Sequence, residues 1–433
     1  MSKKMTKEEL LAKSQQPSID AMRLHPFYKG KLGVMPKCCI RNFDDFAIWY
    51  TPGVAKPCLD IRDNPEKVFE HTNKGNMIAV ISDGTRVLGL GDIGPEAAIP
   101  VMEGKAILFK YLGGVDCVQI CLDTKDPFGG FNLEDISQPK CFRILDTLRR
   151  ECRIPVWHDD QQGTAAVTVA GLINAVKIVG KDMSKVRVAM LGAGAANICI
   201  ARMIALAGVK YENMIMCDSK GILNRAREKE LVESYKEKWE MAKVTNGGNV
   251  SGGPAEAIRG ADVLIALSKP GPDTVKPEWI KSMAKDSIVF VCANPIPEIY
   301  PWDAKEAGAR IVATGRSDFP NQVNNSLGFP GIFRGTLDVM ARTITDEMCL
   351  AAAEAMAKCA EDIGMREDYL LPTMDEWQIY PREAAAVGRK AIEQGVARLN
   401  LTYEELLAKA EKTIKHSRES FHALQDNGFI EMP

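Results

Sequence analysis

The chain carries almost no excess charge. Its 55 Lys and Arg stand against 57 Asp and Glu, a formal net charge of −2 over 433 residues. That balance gives no long-range attraction for nucleic acid or for an anionic membrane surface, so neither is an expected partner. None of the 12 cysteines forms a CxxC pair: Cys38 and Cys39 are adjacent, and Cys117 and Cys121 are too far apart. A disulfide framework is therefore not expected in a chain of this length. No apolar run reaches the roughly 18 residues that a membrane span requires. The opening stretch, MSKKMTKEEL, is charged and lacks the apolar core of a secretion signal. Internal repeats and low-complexity tracts are also missing. These absences together predict a soluble, cytoplasmic protein.

What is present is ample apolar material. A hydrophobic content of 46% supports a sizeable core and two or three domains. Residues 1–75 are mixed, with helical stretches broken by prolines. From Asn76, MIAVIS and VLGLG read as strands, and IPVMEGKAILFKYLGG follows as a helix. DCVQICLD is a further short strand. SQPKCFRILDTLRREC has helical spacing, with Ser137 and Pro139 as start signals. IPVW is the next strand, and a long helix is predicted from about Gly163 to Val179, ended by Gly180. KVRVAMLGAGAANICIARMIALAGV reads as strand, glycine turn and helix. NMIMCDSKG, ADVLIALS, SIVFVCANP and ARIVATG add four more short buried strands. Strands alternating with helices predict an α/β fold with a Rossmann-like, doubly wound parallel sheet. After Gly335 the pattern is helical to the end, with breaks expected near Pro372 and Pro381.

The glycine turn is the first candidate site. Gly192 and Gly194 fall between a buried strand and a helix. The first glycine permits a tight turn, and the second lets the backbone approach a pyrophosphate seated on the helix N-terminus. The third glycine of the usual GxGxxG pattern is replaced by Asn197. The candidate cofactor loop is thus Gly192, Ala193, Gly194, Ala195, Ala196 and Asn197. Asp218 closes the next strand, where a ribose-binding acid belongs. Asp218 favours NAD by accepting from a 2′-hydroxyl, whereas Lys220 favours NADP by pairing with a 2′-phosphate. The sequence leaves both open.

The second candidate site is acidic. VWHDDQQGT places Asp159 and Asp160 directly after an apolar run, and FNLEDIS places Glu134 and Asp135 likewise. In open α/β sheets ligands bind at the carboxyl ends of strands. Carboxylates converging there without histidine or thiolate suit a hard cation such as Mg²⁺ or Mn²⁺. Acids also favour the first turns of helices, so two exposed helix starts remain an equal reading of the spacing alone. His158 reads as a packed or surface histidine.

Seven segments occur in a fixed order: YTPGVAKPC, SDGTRVLGLGDIGPEAAIPVMEGKAILFK, FNLEDIS, VWHDDQQGTA, LGAGAAN, CANPIPE and ATGRSDFPNQVNNSLGFPGIFRG. Together they closely resemble the malic enzymes, particularly the short microbial type, over residues 20–345. The resemblance implies metal-dependent oxidative decarboxylation of (S)-malate to pyruvate and CO₂, with reduction of NAD or NADP. It maps Tyr50 to the general acid and Lys105 to the general base, which also contacts substrate. It maps Glu134, Asp135 and Asp160 to the metal ligands, with Asp159 behind them. Arg86, Asn294 and Asn325 map to malate contacts, and Asn294 also lies in the cofactor-binding set. It further implies an α/β N-terminal substrate domain over 1–162, a dinucleotide domain over 163–343 and C-terminal helices over 344–433. A homodimer is the expected minimum assembly.

The chemistry gives each residue a requirement. Lys105 acts as a base only when neutral, and its apolar neighbours Ala106, Ile107 and Leu108 predict that burial lowers its pKa. Tyr50 donates to C3 if a nearby ammonium stabilises its phenolate. Arg86 suits a bidentate grip on a carboxylate. Two further readings are malolactic chemistry, releasing lactate with the cofactor retained, and a dinucleotide-sensing protein without catalysis. The stretch SYKEKWEMAKVTNGGNVSGG reads as a flexible insertion. The tail beyond Ile344 carries no functional expectation other than packing or an interface.

Overall fold

Short apolar runs become strands where they can be covered on both faces, and here they do so in two separate sheets. The computed structural model describes residues 6–28, 30–33, 38, 48–49, 53–121, 129–293, 296–316, 319–374 and 376–427. The first sheet contains β1 (Met77–Ile81), β2 (Asp116–Ile120), β3 (Phe131–Leu133) and β4 (Val156–His158). Its order is β2-β1-β3-β4, and every pairing is parallel. The second contains β5 (Val188–Leu191), β6 (Met214–Asp218), β7 (Gly221–Ile222), β8 (Val263–Ala266), β9 (Ile288–Val291) and β10 (Ile311–Thr314). Its order is β10-β9-β8-β5-β6-β7, parallel except for the two-residue edge strand β7. Strands β5, β8, β9 and β10 are buried at every position, as continuous apolar runs in a doubly covered parallel sheet should be. The winding reverses at β5, which lies between β6 and β8 and so marks the topological switch point.

Helices cover the sheets where the sequence pattern placed them. Pro95–Gly113 begins with proline in its first turn and ends at Gly114 in the left-handed conformation. Lys140–Glu151 precedes β4, and Thr164–Ile178 follows it. Gly180, at φ 68°, turns the chain just beyond that long helix. Aromatic side chains join the layers: Phe109 packs on Phe329 at 4.2 Å and on Phe333 at 5.2 Å, and Phe333 meets the buried Trp157 at 6.1 Å.

Three sequence expectations are corrected. Val87–Gly91 is a tight turn rather than a strand: Leu88 has a left-handed φ of 51°, and Leu90 N–H donates to Val87 O at 2.9 Å. The glycines that interrupt VLGLG favour this closure over an extended run. The segment read as a flexible insertion contains the helix Lys236–Val244. Pro381 does not break the last part of the chain. It occupies the first turn of the helix Ile379–Glu393, where its missing N–H has no intrahelical partner to lose.

The C-terminal helices are integral to the core. The buried Asn174 amide donates to Ala357 O at 2.9 Å and Leu370 O at 2.8 Å. Ser417 Oγ donates to Lys110 O at 3.0 Å, which ties the Tyr403–Asp426 helix to the Pro95–Gly113 helix. The described cysteines are free. Among the described residues, no helix is long and apolar enough to cross a membrane.

Candidate active site

The two acidic doublets converge because their strands are neighbours. β3 and β4 pair in parallel with Leu133 opposite His158, so Glu134–Asp135 and Asp159–Asp160 leave the sheet side by side. Glu134, Asp135 and Asp160 each offer a carboxylate oxygen within 4.8 Å of the other two. Asp135 stands at φ 53°, a left-handed conformation that costs a non-glycine residue roughly 1–2 kcal/mol. Its N–H donates to Asp160 Oδ2 at 3.0 Å, which holds the turn. Such strain is a feature of functional sites.

The electrostatics of this cluster are costly as they stand. Burial and the charge of Asp160 push the Asp135 carboxyl up to about 8. Burial raises Glu134 well above the usual carboxylate range, and Asp159 and Asp160 add to that against the pull of Lys105. Asp135 Oδ2 is buried without a hydrogen-bond partner. Three oxygen donors that repel one another, one of them unpaired, fit a hard divalent cation in an oxygen shell. The buried Asn132 amide donates to Glu134 Oε2 at 2.7 Å and fixes that carboxylate.

Asp159 points elsewhere and is fully buried. It accepts from Lys105 Nζ at 2.6 Å, from Trp157 Nε1 at 3.3 Å and from the Asn325 amide. Lys105 also lies 3.4 Å from Glu134, and its ammonium sits 4.4 Å over the Phe329 ring. Burial does oppose the Lys105 charge, but Asp159, Glu134 and Asp160 outweigh it, and its pKa is raised. The expectation that apolar neighbours lower it is therefore corrected. The residues adjacent in sequence do not form this lysine's environment; the carboxylates at the ends of β3 and β4 do. His158 is buried, with neither ring nitrogen hydrogen-bonded. Burial holds its pKa low, so it is a packed histidine, as expected. Arg86 is exposed on the loop after β1, where its charge bears on Asp135. Tyr50 and Asn294 lie outside the described residues.

The glycine turn sits at the switch point. Gly192 has φ 93°, and a Cβ there would meet Leu267 O at 2.3 Å, so both conformation and space require glycine. Gly194 precedes the helix Ala195–Leu206, whose first turn contains Ala195, Ala196 and Asn197. The Asn197 amide donates to Leu191 O at 2.8 Å and Gly192 O at 2.7 Å. It thus braces the turn from beneath at the position of the absent third glycine. Ala193 is buried beside it. Gln138, three residues beyond Asp135, approaches this turn so closely that a Cβ on Gly194 would lie 2.9 Å from its Oε1. Through Gln138 and Asn325, the carboxyl ends of the two sheets face a common site.

Asp218 does end β6, but it is not a free acceptor. Arg227 binds it bidentately at 2.9 and 3.0 Å, Lys238 Nζ lies at 3.1 Å and Lys220 N–H donates at 2.9 Å. The Lys220 side chain turns to Glu230 at 2.8 Å. Arg227 and Lys238 went unnoticed in the sequence because only the fold brings them to Asp218. Glu298 was missed for the same reason. It is buried, accepts from Ser268 N at 2.8 Å and Ala293 N at 3.1 Å, and burial pushes it up to about 7. It links the loops after β8 and β9. Gly163, noted only as a helix start, is packed against Asp159; the small residue after the acidic doublet was the available signal.

A glycine turn at the switch point of a parallel sheet, facing a carboxylate cage and a buried lysine, defines a dinucleotide-dependent oxidoreductase. Residues 161–392 match the family model "Malic enzyme, NAD binding domain", and residues 29–128 match "Malic enzyme, N-terminal domain". The "Bifunctional malic/malolactic enzyme" of Bacillus subtilis is 49% identical over 92% of this chain and 97% of its own. The crystal structure of Entamoeba histolytica malic enzyme is 50% identical with a TM-score of 0.95, covering 100% of this chain and 93% of that one. Malic enzyme from Pyrococcus horikoshii gives 47% and 0.89 over 95% and 99% of the two chains. The chain belongs to the malic enzyme family and is an NAD- or NADP-dependent, decarboxylating oxidoreductase.

Proposed function

We propose that this protein oxidises (S)-malate to pyruvate and CO₂ with Mg²⁺ or Mn²⁺ held by Glu134, Asp135 and Asp160. The observation that carries this reading is the convergence of those three carboxylates, with an unpaired buried oxygen, beside Lys105. A bound cation would polarise the C2 oxygen and stabilise the negative charge that gathers on it as the bonding electrons of the departing CO₂ flow into the carbonyl. Lys105 contacts the C2 hydroxyl and takes its proton. A cation held by Glu134 would offset one of the charges that hold the lysine proton. Asp159 and Phe329 fix the position of Lys105. Arg86 grips a malate carboxylate, Asn325 and Asn294 orient substrate and nicotinamide, and Tyr50 protonates C3. The first turn of Ala195–Leu206, entered through Gly192, Ala193 and Gly194, receives the pyrophosphate.

The test is an assay matrix. Malate is supplied with NAD or NADP and with Mg²⁺, Mn²⁺ or chelator, and both reduced cofactor and product are measured. Metal-dependent NAD(P)H with pyruvate is expected, and Lys105→Ala should lower kcat by at least about 100-fold. Turnover that persists undiminished in chelator would overturn the reading. A malolactic activity is the second reading, favoured by the name of the Bacillus subtilis relative; lactate formed without net cofactor reduction would establish it.

For the cofactor, the surroundings of Asp218 favour NADP. Arg227, Lys238 and Lys220 stand against Asp218 and Glu230, so a 2′-phosphate meets a surplus of cations. Arg227→Ala is expected to raise KM for NADP relative to NAD by about tenfold, since a charge-assisted contact is worth about 1.4 kcal/mol or more. An unchanged KM ratio in steady-state kinetics would refute this assignment.

A homodimer is also proposed. The Lys7–Tyr28 helix has no buried residue, and Ile19 and Met22 are 62% and 80% exposed. An apolar face of this kind is stabilised by a second copy. Light scattering should report twice the chain mass; a monomer at micromolar concentration would exclude the dimer.

A further inference from the structure

Away from the carboxylate cage, a cavity of about 490 Å³ is lined by Arg149, Arg153, Arg342, Thr343 and Arg398, with Glu66 as its acidic member. Four guanidinium groups thus face one carboxylate, in a chain whose net charge is only −2. The bulk composition does not produce such a concentration.

The four arginines fall into two kinds. Arg149 and Arg398 are pinned. Arg149 donates to Val156 O at 3.3 Å and Ile344 O at 2.6 Å. Arg398 donates to Met340 O at 2.8 Å and Arg153 O at 3.3 Å, meets Glu66 at 3.3 Å, and lies 5.3 Å over the Phe69 ring. Arg153 and Arg342 have exposed side chains that make no hydrogen bond or ion pair among the described residues. Burial lowers the Arg398 pKa and Arg342 adds to that, against the pull of Glu66. Cations crowd here without sufficient counter-charge.

We propose that this cavity binds a small anion carrying two or more negative charges on carboxylate or phosphate oxygens. The backbone-anchored Arg149 and Arg398 supply fixed donors at the floor. Arg153 and Arg342 supply free forks suited to bidentate contact with such oxygens, and Thr343 adds a hydroxyl. Glu66 competes with the anion for Arg398. The volume lies within the range of small-molecule sites. The location has a consequence for the enzyme. Arg149 holds Val156 at the start of β4, and the other end of that strand leads into Asp159 and Asp160. The anion also bridges the end of the Lys140–Glu151 helix to the segment around Arg342. The inference does not depend on the catalytic roles assigned above.

The test is isothermal titration of the purified full chain, at fixed ionic strength and without divalent cation, using pyrophosphate in one arm and succinate in the other. One anion per chain is expected to bind at this cavity. The double substitution Arg153→Ala/Arg342→Ala should weaken that binding at least about tenfold, while leaving the melting temperature unchanged. Glu66→Gln should tighten it severalfold. Loss in the pyrophosphate arm alone identifies a phosphate ligand, loss in the succinate arm alone a dicarboxylate, and loss in both the shared oxyanion chemistry. The proposal is overturned if neither anion binds below about 10 mM, if the double variant binds as the wild type does, or if Glu66→Gln weakens binding.

Discussion

Replacing Asp160 with alanine is expected to raise the Mg²⁺ or Mn²⁺ concentration needed for half-maximal activity by at least about 100-fold, whereas Asp159→Asn should leave that requirement nearly unchanged. The two carboxylates are adjacent in sequence but face different partners. Asp160 stands with Glu134 and Asp135. Asp159 is turned to Lys105, Trp157 and Asn325. Asp159→Asn keeps one acceptor oxygen and sets an amide donor against donors. It also leaves the buried Lys105 without its partner at 2.6 Å, a loss of about 3–5 kcal/mol for a buried pair. Its signature is therefore a lower kcat and a lower melting temperature at an unaltered metal requirement. Mn²⁺ binding followed by spin resonance, with thermal melts alongside, separates the two. Equal displacement of the metal titration in both variants would show that the doublet is wrongly divided.

Gly163→Ala should cost about 100-fold in kcat/KM although it removes no charged or polar group. The backbone at Gly163 is ordinary, with φ −65°, so alanine has no conformational penalty. The constraint is space alone. A Cβ there would lie 2.1 Å from Asp159 Oδ1 and 3.2 Å from Asn325 Cβ. To admit it, Asp159 must swing away and carry Lys105 with it, and misplacement of a catalytic group by about 1 Å costs on the order of 10²-fold. Gly180→Ala is the control. Gly180 has nothing within 4 Å, and at φ 68° only the alanine would be strained, so any stability loss there should come without a change in kcat. If Gly163→Ala turns over like the wild type, Asp159 does not set the position of Lys105.

Much of the frame was legible in the chain because its signals are local. An apolar run followed by a glycine turn and a helix specifies β5, Gly192 and Ala195–Leu206 within about twenty residues. The acidic doublets FNLEDIS and VWHDD each follow a strand, and a parallel sheet aligns strand ends. Spacing alone weighed a cation site equally with two helix starts, and it was the resemblance to the malic enzymes that singled out Glu134, Asp135 and Asp160. Local pattern failed where a residue's partner is set by how the chain folds back and by no regular spacing. Lys236–Val244 read as loop because its glycines follow closely, yet its helix carries Lys238 to Asp218. Asp218 read as a free ribose acceptor because Arg227 and Lys238 have no reason to be noticed until β6 brings them together.

By itself the sequence determined the α/β class, the glycine turn, the two acidic doublets at strand ends and the family to which the chain belongs. Only the tertiary structure decided what surrounds Lys105. Its neighbours Ala106, Ile107 and Leu108 argued for a lowered pKa, but Asp159 lies 54 residues away and acts in the opposite direction. Asn325, 166 residues from Asp159, completes the same cluster. The physical reason is one of range. Backbone conformation is set by near neighbours, whereas the energy of a buried charge depends on whatever the fold brings within a few ångströms of it.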